Sequence, residues 1–292
     1  MGWKDYIFSS RPFLISTKAP FCAIIFALCT EGGPFFMGEQ KRKKNISVGL
    51  LAHVYERITM AAQRNVPASS CFLSKREQML VQELLRGEEF VFFGGAALSE
   101  REVCCYLPEY LDESWLYSEG GPIAAVRASF YEQDRLTHRD FLGSLMGSGI
   151  KRETVGDIYV AGGSCDFLVL REILPYVLQN LTSAGRTKLS LQEISLADIQ
   201  LPQQAVKTVR DTVPSLRLDG IISSGFSISR GKAADYVSAG KAELNYLPCM
   251  KGDKQVSEGD LVSVRGLGKL RLEKVGGNTK KGRISIEISR FL

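Results

Sequence analysis

The stretch SLRLDGIISSGFSISRGKAADYVSAGKAELN, residues 215 to 245, decides the fold of the last part of the chain. In its first third, apolar residues recur at the spacing of one helix face, at Leu218, Ile221 and Ile222. This spacing predicts a short helix over residues 215–222 that buries one face and turns its polar residues outward.

A second helix is predicted from capping residues rather than from apolar spacing. Ser229 is a good N-cap, because a serine hydroxyl accepts a backbone N–H of the first turn, and Gly240 favours the end of a helix after Ala239. Arg230 and Lys232 stand in the first turn, where the helix dipole disfavours positive charge. The arrangement makes sense if a phosphate group binds there, between exposed N–H groups and the two cations.

After these helices the sequence is typical of strands joined by tight turns. Strands are predicted over residues 241–245, 261–265, 269–275 and 283–288. The last two are predicted to form a hairpin with a glycine-rich loop over residues 276–282. Lys280 and Lys281 at the tip of this loop are candidate contacts to a sugar-phosphate backbone.

Positive charge is concentrated in the same part of the chain. Residues 213–292 contain fourteen Lys and Arg against eight Asp and Glu, a net charge of +6. The whole chain has 37 against 32, which leaves the first 212 residues with 23 against 24, a net charge of −1. A basic excess confined to one small domain is typical of a protein that binds a polyanion, and a merely solvated basic surface is the alternative.

The quoted stretch, together with EGDLVSVRG at residues 258–266, resembles the S-four type RNA-binding domain, also called the αL motif. The chain departs from that family's pattern at Glu243-Leu244 and at Tyr246, where the family often has glycine. These departures concern the geometry of a turn and not the fold. The resemblance implies RNA-facing roles for six residues, Arg217, Ser229, Arg230, Lys232, Lys241 and Arg265.

The middle of the chain shows the element order β-α-β-β-α-β. Strands are predicted at 124–130, 157–160, 166–170 and 188–194, with helices at 137–146 and 171–181. This is the order of the ferredoxin-like split βαβ fold, which RNA-recognition domains share with many enzymes and small-molecule binders. Tyr159 and Phe167 lie on adjacent predicted strands, but the aromatic signature of base-stacking domains is missing, so core packing is favoured for both.

Upstream of this region, two helices are predicted within residues 50–86, separated by a connection at Pro67 and Ser69–Ser70. Before them, residues 19–29 form an apolar run that is too short to span a bilayer. We expect residues 1–36 to be an upstream extension before a start at Met37. An export or anchor signal and an unusual terminal segment are the alternatives.

The sequence therefore predicts an α+β chain in four parts. They are an N-terminal extension at 1–36, a helical segment at 37–88, a ferredoxin-like (RRM-like) βαββαβ domain at 89–202, and a small S-four type, αL-motif RNA-binding domain at 213–292. A polar connection from Gln203 to Pro214 is predicted between the last two parts.

Several longer segments resemble the YlmH family, whose members combine a ferredoxin-like middle domain with a C-terminal S-four type domain. They are FLSKREQMLVQELL at 72–85, FVFFGGAALSEREVCCYLPEYL at 90–111, HRDFLGSLMGSGIKRETVGDIYV at 138–160 and GNTKKGRISIEIS at 277–289.

The resemblance implies a ribosome-associated RNA binder, linked to the rescue or quality control of stalled large subunits that still hold peptidyl-tRNA. Its partners would be rRNA and also tRNA. Within the family's signature, the basic pair Lys151 and Arg152 is a candidate RNA contact, Gly156 fits a turn, and Asp157 caps or bonds that turn.

An RNA-modifying enzyme is the competing hypothesis, because S-four type modules are often attached to such enzymes. A pseudouridine synthase needs its own catalytic aspartate motif, and the RLD at 217–219 belongs to the binding module. The Gly94–Gly95 loop lacks the glycine pattern of a methyltransferase, and neither a Walker A loop nor the motifs of a tyrosyl-tRNA synthetase occur. We expect no catalytic residue.

The number and spacing of the cysteines and histidines bear on metal binding and on the redox compartment of the protein. Seven scattered cysteines and only two histidines, His53 and His138, predict no metal site and indicate a reducing, cytoplasmic compartment. No cofactor is expected. We expect a cytoplasmic monomer that binds RNA, with neither DNA nor a membrane as a partner.

Overall fold

A computed structural model describes residues 40–97, 99–202, 205–279 and 282–292. Its helices and β-sheets confirm the predicted α+β class. The chain divides into two compact units, one with residues up to 70, 77–92 and 104–112, the other with 71–76, 93–103 and 113–292. The predicted extension at 1–36 lies outside the described residues. No helix in the described ranges is both long enough and apolar enough to cross a membrane.

The first part of the described chain contains two helices and three strands. They are α1 (Gln40–Arg64), β1 (Ala68–Leu73), α2 (Lys75–Leu84), β2 (Val91–Phe93) and β3 (Glu102–Tyr106). The strands form a sheet in the order β1–β3–β2. Leu51, Val54 and Ile58 are buried along one face of α1, as their helical spacing predicts.

The predicted connection at Pro67 and Ser69–Ser70 was wrong for residues 68–73, which form β1. Consecutive small hydroxyl residues are typical of turns. Ser70 is nevertheless buried, and its hydroxyl accepts a hydrogen bond from the backbone N–H of Cys104 at 2.8 Å. A buried serine whose hydroxyl has a hydrogen-bond partner can occupy a core position. The serine pair therefore led to the prediction of a connection where the chain forms a strand.

The middle of the chain contains the predicted βαββαβ series with a small hairpin added. Its elements are β4 (Ile123–Ser129), α3 (His138–Gly147), β5 (Val155–Ala161), β6 (Ser164–Leu170), α4 (Leu174–Asn180), the hairpin strands β7 (Ser183–Ala184) and β8 (Thr187–Lys188), and β9 (Ser190–Ile194). The long strands form an antiparallel sheet in the order β5–β6–β4–β9. This order is that of the split βαβ fold, which confirms the ferredoxin-like topology.

The last part, residues 206–292, is called the C-terminal module below. Its elements are β10 (Val206–Val213), α5 (Leu218–Phe226), α6 (Arg230–Ser238), β11 (Ala242–Leu244), β12 (Leu247–Pro248), β13 (Leu261–Val264), β14 (Gly268–Asn278) and β15 (Ile284–Phe291). The strands form one six-stranded sheet in the order β10–β15–β14–β13–β11–β12.

Two sequence-based predictions for this module need correction. The connection predicted over 203–214 was wrong for residues 206–213, because β10 pairs with β15 along its whole length. Its sequence VKTVRDTV is polar enough to be taken for a loop, since only Val209 and Val213 contact the core. The predicted loop at 276–282 was also partly wrong, because β14 continues to residue 278 through register irregularities.

The turn at which the sequence departs from the S-four pattern keeps its tight geometry. Asn245 and Tyr246 connect β11 to β12 with φ values of 49° and 65°. A two-residue hairpin of this kind requires positive φ at both positions, so tyrosine stands where glycine would be less strained. Asn245 anchors the turn, because its side chain donates to Asp260 and accepts the backbone N–H of Leu261.

Helices α5 and α6 cover one face of the six-stranded sheet. Leu218 and Phe226 of α5 belong to one buried cluster with Leu270 and Ile288 of the strands. Gly225 lies so close to the sheet that a Cβ atom there would meet Leu270 at 2.5 Å. The two helices are therefore fixed on a rigid base, which positions the polar residues at their ends.

Candidate RNA interface

A buried carboxylate organises the start of α5. Asp219 is only 5% exposed. Its oxygens accept hydrogen bonds from Arg217 at 3.0 and 3.3 Å and from Arg230 at 3.2 and 3.4 Å. Burial acts to raise the pKa of Asp219, but the hydrogen bonds from the two arginines outweigh it and hold that pKa below its ordinary value. Asp219 therefore stays ionised and fixes both guanidinium groups.

The two arginines keep donors directed to solvent. Their side chains are 38% (Arg217) and 50% (Arg230) exposed, although both contact Asp219. A guanidinium carries five N–H groups in a planar fork, and one carboxylate shared by two arginines can accept only some of them. The remaining donors match the geometry of a phosphate group.

The segment between β12 and β13 closes the start of α5. The backbone N–H groups of Leu218 and Asp219 donate to the carbonyls of Lys254 at 2.8 Å and Gly252 at 3.0 Å. Because these N–H groups already have acceptors, this helix start is satisfied within the chain. An anion near it would be bound by side chains.

The start of α6 has the predicted cap. The Ser229 hydroxyl accepts the backbone N–H of Lys232 at 3.3 Å, which confirms Ser229 as the N-cap. Ser227, with a φ of 54°, turns the chain between the helices, and the Ser223 hydroxyl donates to the Ile228 carbonyl at 2.7 Å. Ser229, Arg230 and Lys232 are all exposed.

The remaining two S-four positions lie at the other end of α6. The Arg265 backbone N–H donates to the Lys241 carbonyl at 2.9 Å, and both residues are exposed. The Lys241 ammonium group lies 5.4 Å from the ring centre of Tyr236. Nine helical residues separate this pair from the Asp219 cluster, a length of about 13 Å at 1.5 Å per residue.

The six predicted residues thus form two basic groups, one near each end of α6. One group contains Arg217, Ser229, Arg230 and Lys232, and the other contains Lys241 and Arg265. We call their exposed surface the helical face. Its arginines, lysines and hydroxyl can bind phosphate oxygens without any chemical step.

The basic pair in the middle of the chain has two different environments. Lys151 is exposed, whereas Arg152 is partly buried and donates to the carbonyls of Val155 at 2.5 Å and Gly156 at 3.2 Å. Burial, together with the nearby positive charge of Arg101, lowers the pKa of Arg152 to about 10. Arg152 therefore holds backbone in place, and Lys151 is the member of the pair that faces solvent.

Gly156 and Asp157 both serve packing and backbone pairing. The turn predicted for Gly156 was wrong: it is buried in β5, where a Cβ atom would meet the Phe72 ring at 2.7 Å. Asp157 accepts the backbone N–H groups of Glu100 at 2.6 Å and Arg101 at 3.3 Å. It therefore has a structural bonding role, as predicted, but it bonds a distant segment of the chain and not its own turn. Burial raises the pKa of Asp157.

The sheet face that stacks bases in RNA-recognition domains is covered in this chain. Opposite the helices, Ile123 and Leu168 are fully buried, and a Cβ atom at Gly95 would lie 3.2 Å from each of them. Phe167 is buried in the core on the helix side, which confirms its packing role. Tyr159 is partly buried, with its hydroxyl 3.5 Å from Asp157.

The sequence analysis did not identify every basic residue that is exposed on the C-terminal module. Two residues that it did propose as RNA contacts have no described position. Lys280 and Lys281 lie outside the described residues. Arg210 was missed because its strand was taken for a connection. Arg271 and Lys274 were seen only as parts of a strand. They are three residues apart, so simple alternation would put them on opposite faces. The register shift between Leu272 and Lys274 brings them to the same side, and the sequence gives no sign of it.

The described residues contain no group of three or more His, Cys, Asp or Glu that could hold a metal ion. Three cysteines in these ranges, Cys104, Cys105 and Cys165, are buried. Burial raises the pKa of Cys104 to about 12 and raises those of the other two as well. Thiols of this kind pack as small apolar groups and are poor nucleophiles.

Comparison with known proteins gives the family. The "Ribosome-associated protein quality control protein P2" of Bacillus subtilis (strain 168) is 32% identical over 222 residues, covering 75% of this chain and 85% of the relative. A family model described as "Putative RNA-binding domain in YlmH" matches residues 130–198. The chain belongs to the YlmH family.

The YlmH resemblance read from the sequence is therefore confirmed. The matched range 130–198 runs from the end of β4 through β9, so the YlmH model describes the middle of the chain. A solved structure, "Cell division protein ylmH from Streptococcus pneumoniae", aligns with a TM-score of 0.44 and 17% identity over 59% of this chain and 100% of that chain.

Proposed function

We propose that this YlmH-family protein is a non-enzymatic RNA-binding factor of the large ribosomal subunit. It binds structured rRNA, and tRNA beside it, through the helical face of an S-four type module. It acts in the quality control or rescue of stalled complexes that still hold peptidyl-tRNA. The name of the Bacillus subtilis relative supports the ribosomal setting. We further propose that the protein works in the cytoplasm as a monomer, without DNA or a membrane as partner.

The observation that carries this proposal is the pair of arginines fixed by Asp219. An arginine held in place before binding loses less side-chain entropy when a phosphate arrives. Asp219 holds Arg217 and Arg230 in this way, next to the capped start of α6 with Lys232. A cation that served solubility alone would gain nothing from a buried partner.

We propose that the four parts predicted from the sequence, 1–36, 37–88, 89–202 and 213–292, have different roles, with β10 (Val206–Val213) added to the last part. The family model's description supports RNA contact by the middle domain as well. Because the sheet face of that domain is covered, its RNA contacts would come from loops and exposed residues such as Lys151.

Removal of two charges from the helical face tests the proposal. We expect Arg230→Ala with Lys232→Ala to weaken binding of the full-length protein to large-subunit rRNA. The slope of log affinity against log salt should flatten by about one to two units, because each lost phosphate contact removes about 0.9. The control is Arg57→Ala with Arg86→Ala, two exposed arginines outside the module. Equal slopes for both double variants would contradict the helical face as the RNA contact.

The ribosomal partner is tested by sedimentation of a cell lysate on a sucrose gradient. The protein should migrate with free large subunits and should leave them in the helical-face variant. Migration with small subunits, or as free protein, would contradict the assignment to the large subunit.

An RNA-modifying activity is tested separately. The pure protein is incubated with rRNA, with and without S-adenosylmethionine, and the nucleosides are analysed by mass spectrometry. We expect no change in the nucleosides. A stoichiometric new modification would replace the proposed role with that of an enzyme.

A further inference from the structure

The C-terminal sheet has a second face, on the side away from α5 and α6. Along β15, Ile286 and Ile288 point to the helices and are buried, so Ser285, Glu287 and Ser289 point to the opposite side. The registers of β10 and β14 then define the other residues of this side. Its polar and basic members, called the open sheet face, are Thr208, Arg210, Thr212, Lys269, Arg271, Lys274, Ser285 and Ser289.

This face is positively charged and accessible. Arg210, Arg271 and Lys274 are exposed, and the Arg210 side chain is 79% accessible. Glu287 lies between Arg210 and Lys274 in the registers of the sheet and binds Arg210 at 3.2 Å. Two further acidic residues oppose this charge: Glu100, from the segment before β3, binds Lys269, and Glu273 lies at a bulge of β14.

The cations of this face are held in a fixed pattern. Arg210 faces Glu287 across β10 and β15, and Lys274 faces the same residue from β14. The Arg271 guanidinium lies 5.8 Å from the ring centre of Phe291, a cation–π distance. Strands hold their side chains at fixed spacings. Thr208 and Ser289 lie in the same row of the sheet as Arg271, and Ser285 lies beyond the row of Arg210 and Lys274.

We propose that the open sheet face is a second RNA-contacting surface, which binds a sugar-phosphate backbone. The proposal rests on the proposed function of the helical face. Guanidinium, ammonium and hydroxyl groups in one plane match phosphate and ribose oxygens. A partner protein is disfavoured, because protein interfaces have an apolar centre, and the centre of this face is polar.

The two surfaces lie on opposite sides of one sheet, and this arrangement sets the number of RNA segments that one module can bind. A straight RNA helix that lies against one side of the sheet cannot reach the other side at the same time. The module therefore binds two separate RNA segments at once, one at the helical face and one at the open sheet face. A factor built in this way can bridge two RNA elements on a ribosomal subunit.

The test compares three double variants of the full-length protein. They are Arg271→Gln with Lys274→Gln on the open sheet face, Arg230→Ala with Lys232→Ala on the helical face, and Arg57→Gln with Arg86→Gln as a control of equal charge. The probe is a labelled RNA duplex of about 12 base pairs, short enough to occupy one face at a time. Mass photometry or sedimentation equilibrium gives the number of duplexes per protein.

We expect two duplexes per wild-type and control protein, and one per protein for each face variant. The salt slope of the open-sheet variant should flatten by about one to two units. If the open-sheet variant behaves as the control while the helical-face variant loses binding, the inference is wrong and the proposed function stands. If the wild type binds no RNA, the proposed function itself fails.

A single substitution gives a test in the opposite direction. Glu287→Gln removes the carboxylate that opposes Arg210 and Lys274 and leaves the shape of the face unchanged. We expect tighter binding of the duplex, with a salt slope steeper by about one unit. The matched control is Glu83→Gln, which frees Arg86 outside the module in the same way. Equal effects of the two substitutions would contradict a local role of the open sheet face.

Discussion

Asp219 shows at the scale of one residue how a stabilising contact also prepares a binding site. Its carboxylate is buried, and it is surrounded by the arginines whose remaining donors face solvent. The tripeptide RLD predicts the arginine by resemblance, but sequence gives no sign that Arg230, eleven residues away, binds the same carboxylate. Such a contact depends on how two helices are placed, which only tertiary packing fixes.

We expect Asp219→Asn to destabilise the protein by about 1–2 kcal/mol, because two partly exposed arginines lose a buried charged acceptor. The pKa of Asp219 is lowered in the folded state, so its contribution is complete above the ordinary pKa of about 4 and is lost as the pH falls through the folded value. Urea unfolding of wild type and variant at neutral pH and at acidic pH measures both effects.

The control for this prediction is Asp235→Asn on the exposed side of α6. It should change stability by less than about 0.5 kcal/mol, as surface substitutions usually do. A difference between Asp219→Asn and wild type that does not shrink with falling pH would show that the carboxylate charge is not the cause.

At the scale of elements, strongly patterned segments were predictable and edge strands were not. Capping residues predicted α6, and apolar spacing predicted α1 and α2, because helix signals are local in sequence. The strands β1 and β10 were missed, because a strand with small or polar residues is stabilised by its neighbours in the sheet. Pairing of β10 with β15 joins residues that are far apart in sequence.

The strand β5 offers a prediction at this scale. We expect Gly156→Ala to destabilise the protein by about 1–3 kcal/mol, because the added methyl group overlaps the Phe72 ring and Leu168 in a packed core. Gly143→Ala is the matched control, since this residue lies on the exposed side of α3 with nothing within 4 Å. There the same substitution should stabilise the helix by about 0.5–1 kcal/mol. Thermal unfolding of both variants measures these changes: the Tm should fall for Gly156→Ala and rise for Gly143→Ala.

At the scale of the whole molecule, the two compact units each contain buried cysteines, whose reactivity can be used to follow unfolding. Cys104 and Cys105 belong to the first unit and Cys165 to the second, and all three are buried. Cys71 and Cys249 are partly exposed. The sequence predicted free thiols that pack as apolar groups, but which thiols are buried depends on the fold.

We expect the three buried thiols to react with a maleimide only when the protein unfolds. Burial raises the pKa of Cys104 to about 12, so its thiolate fraction at neutral pH is very small. Cys71 and Cys249 should react earlier. Mass spectrometry of labelled peptides over a range of urea concentrations measures each site. Labelling of Cys165 in native buffer at the rate of Cys249 would contradict the buried placement.

The pairing of β10 with β15 has a mechanical consequence. The two strands are antiparallel, with Val206 opposite Phe291, and the Leu292 backbone N–H donates to the Ala205 carbonyl. A force that pulls these two ends apart loads one pair of hydrogen bonds at a time, as in opening a zip, so the C-terminal module should yield at low force. Pulled along the strands instead, the same ladder would share the load and resist much more strongly.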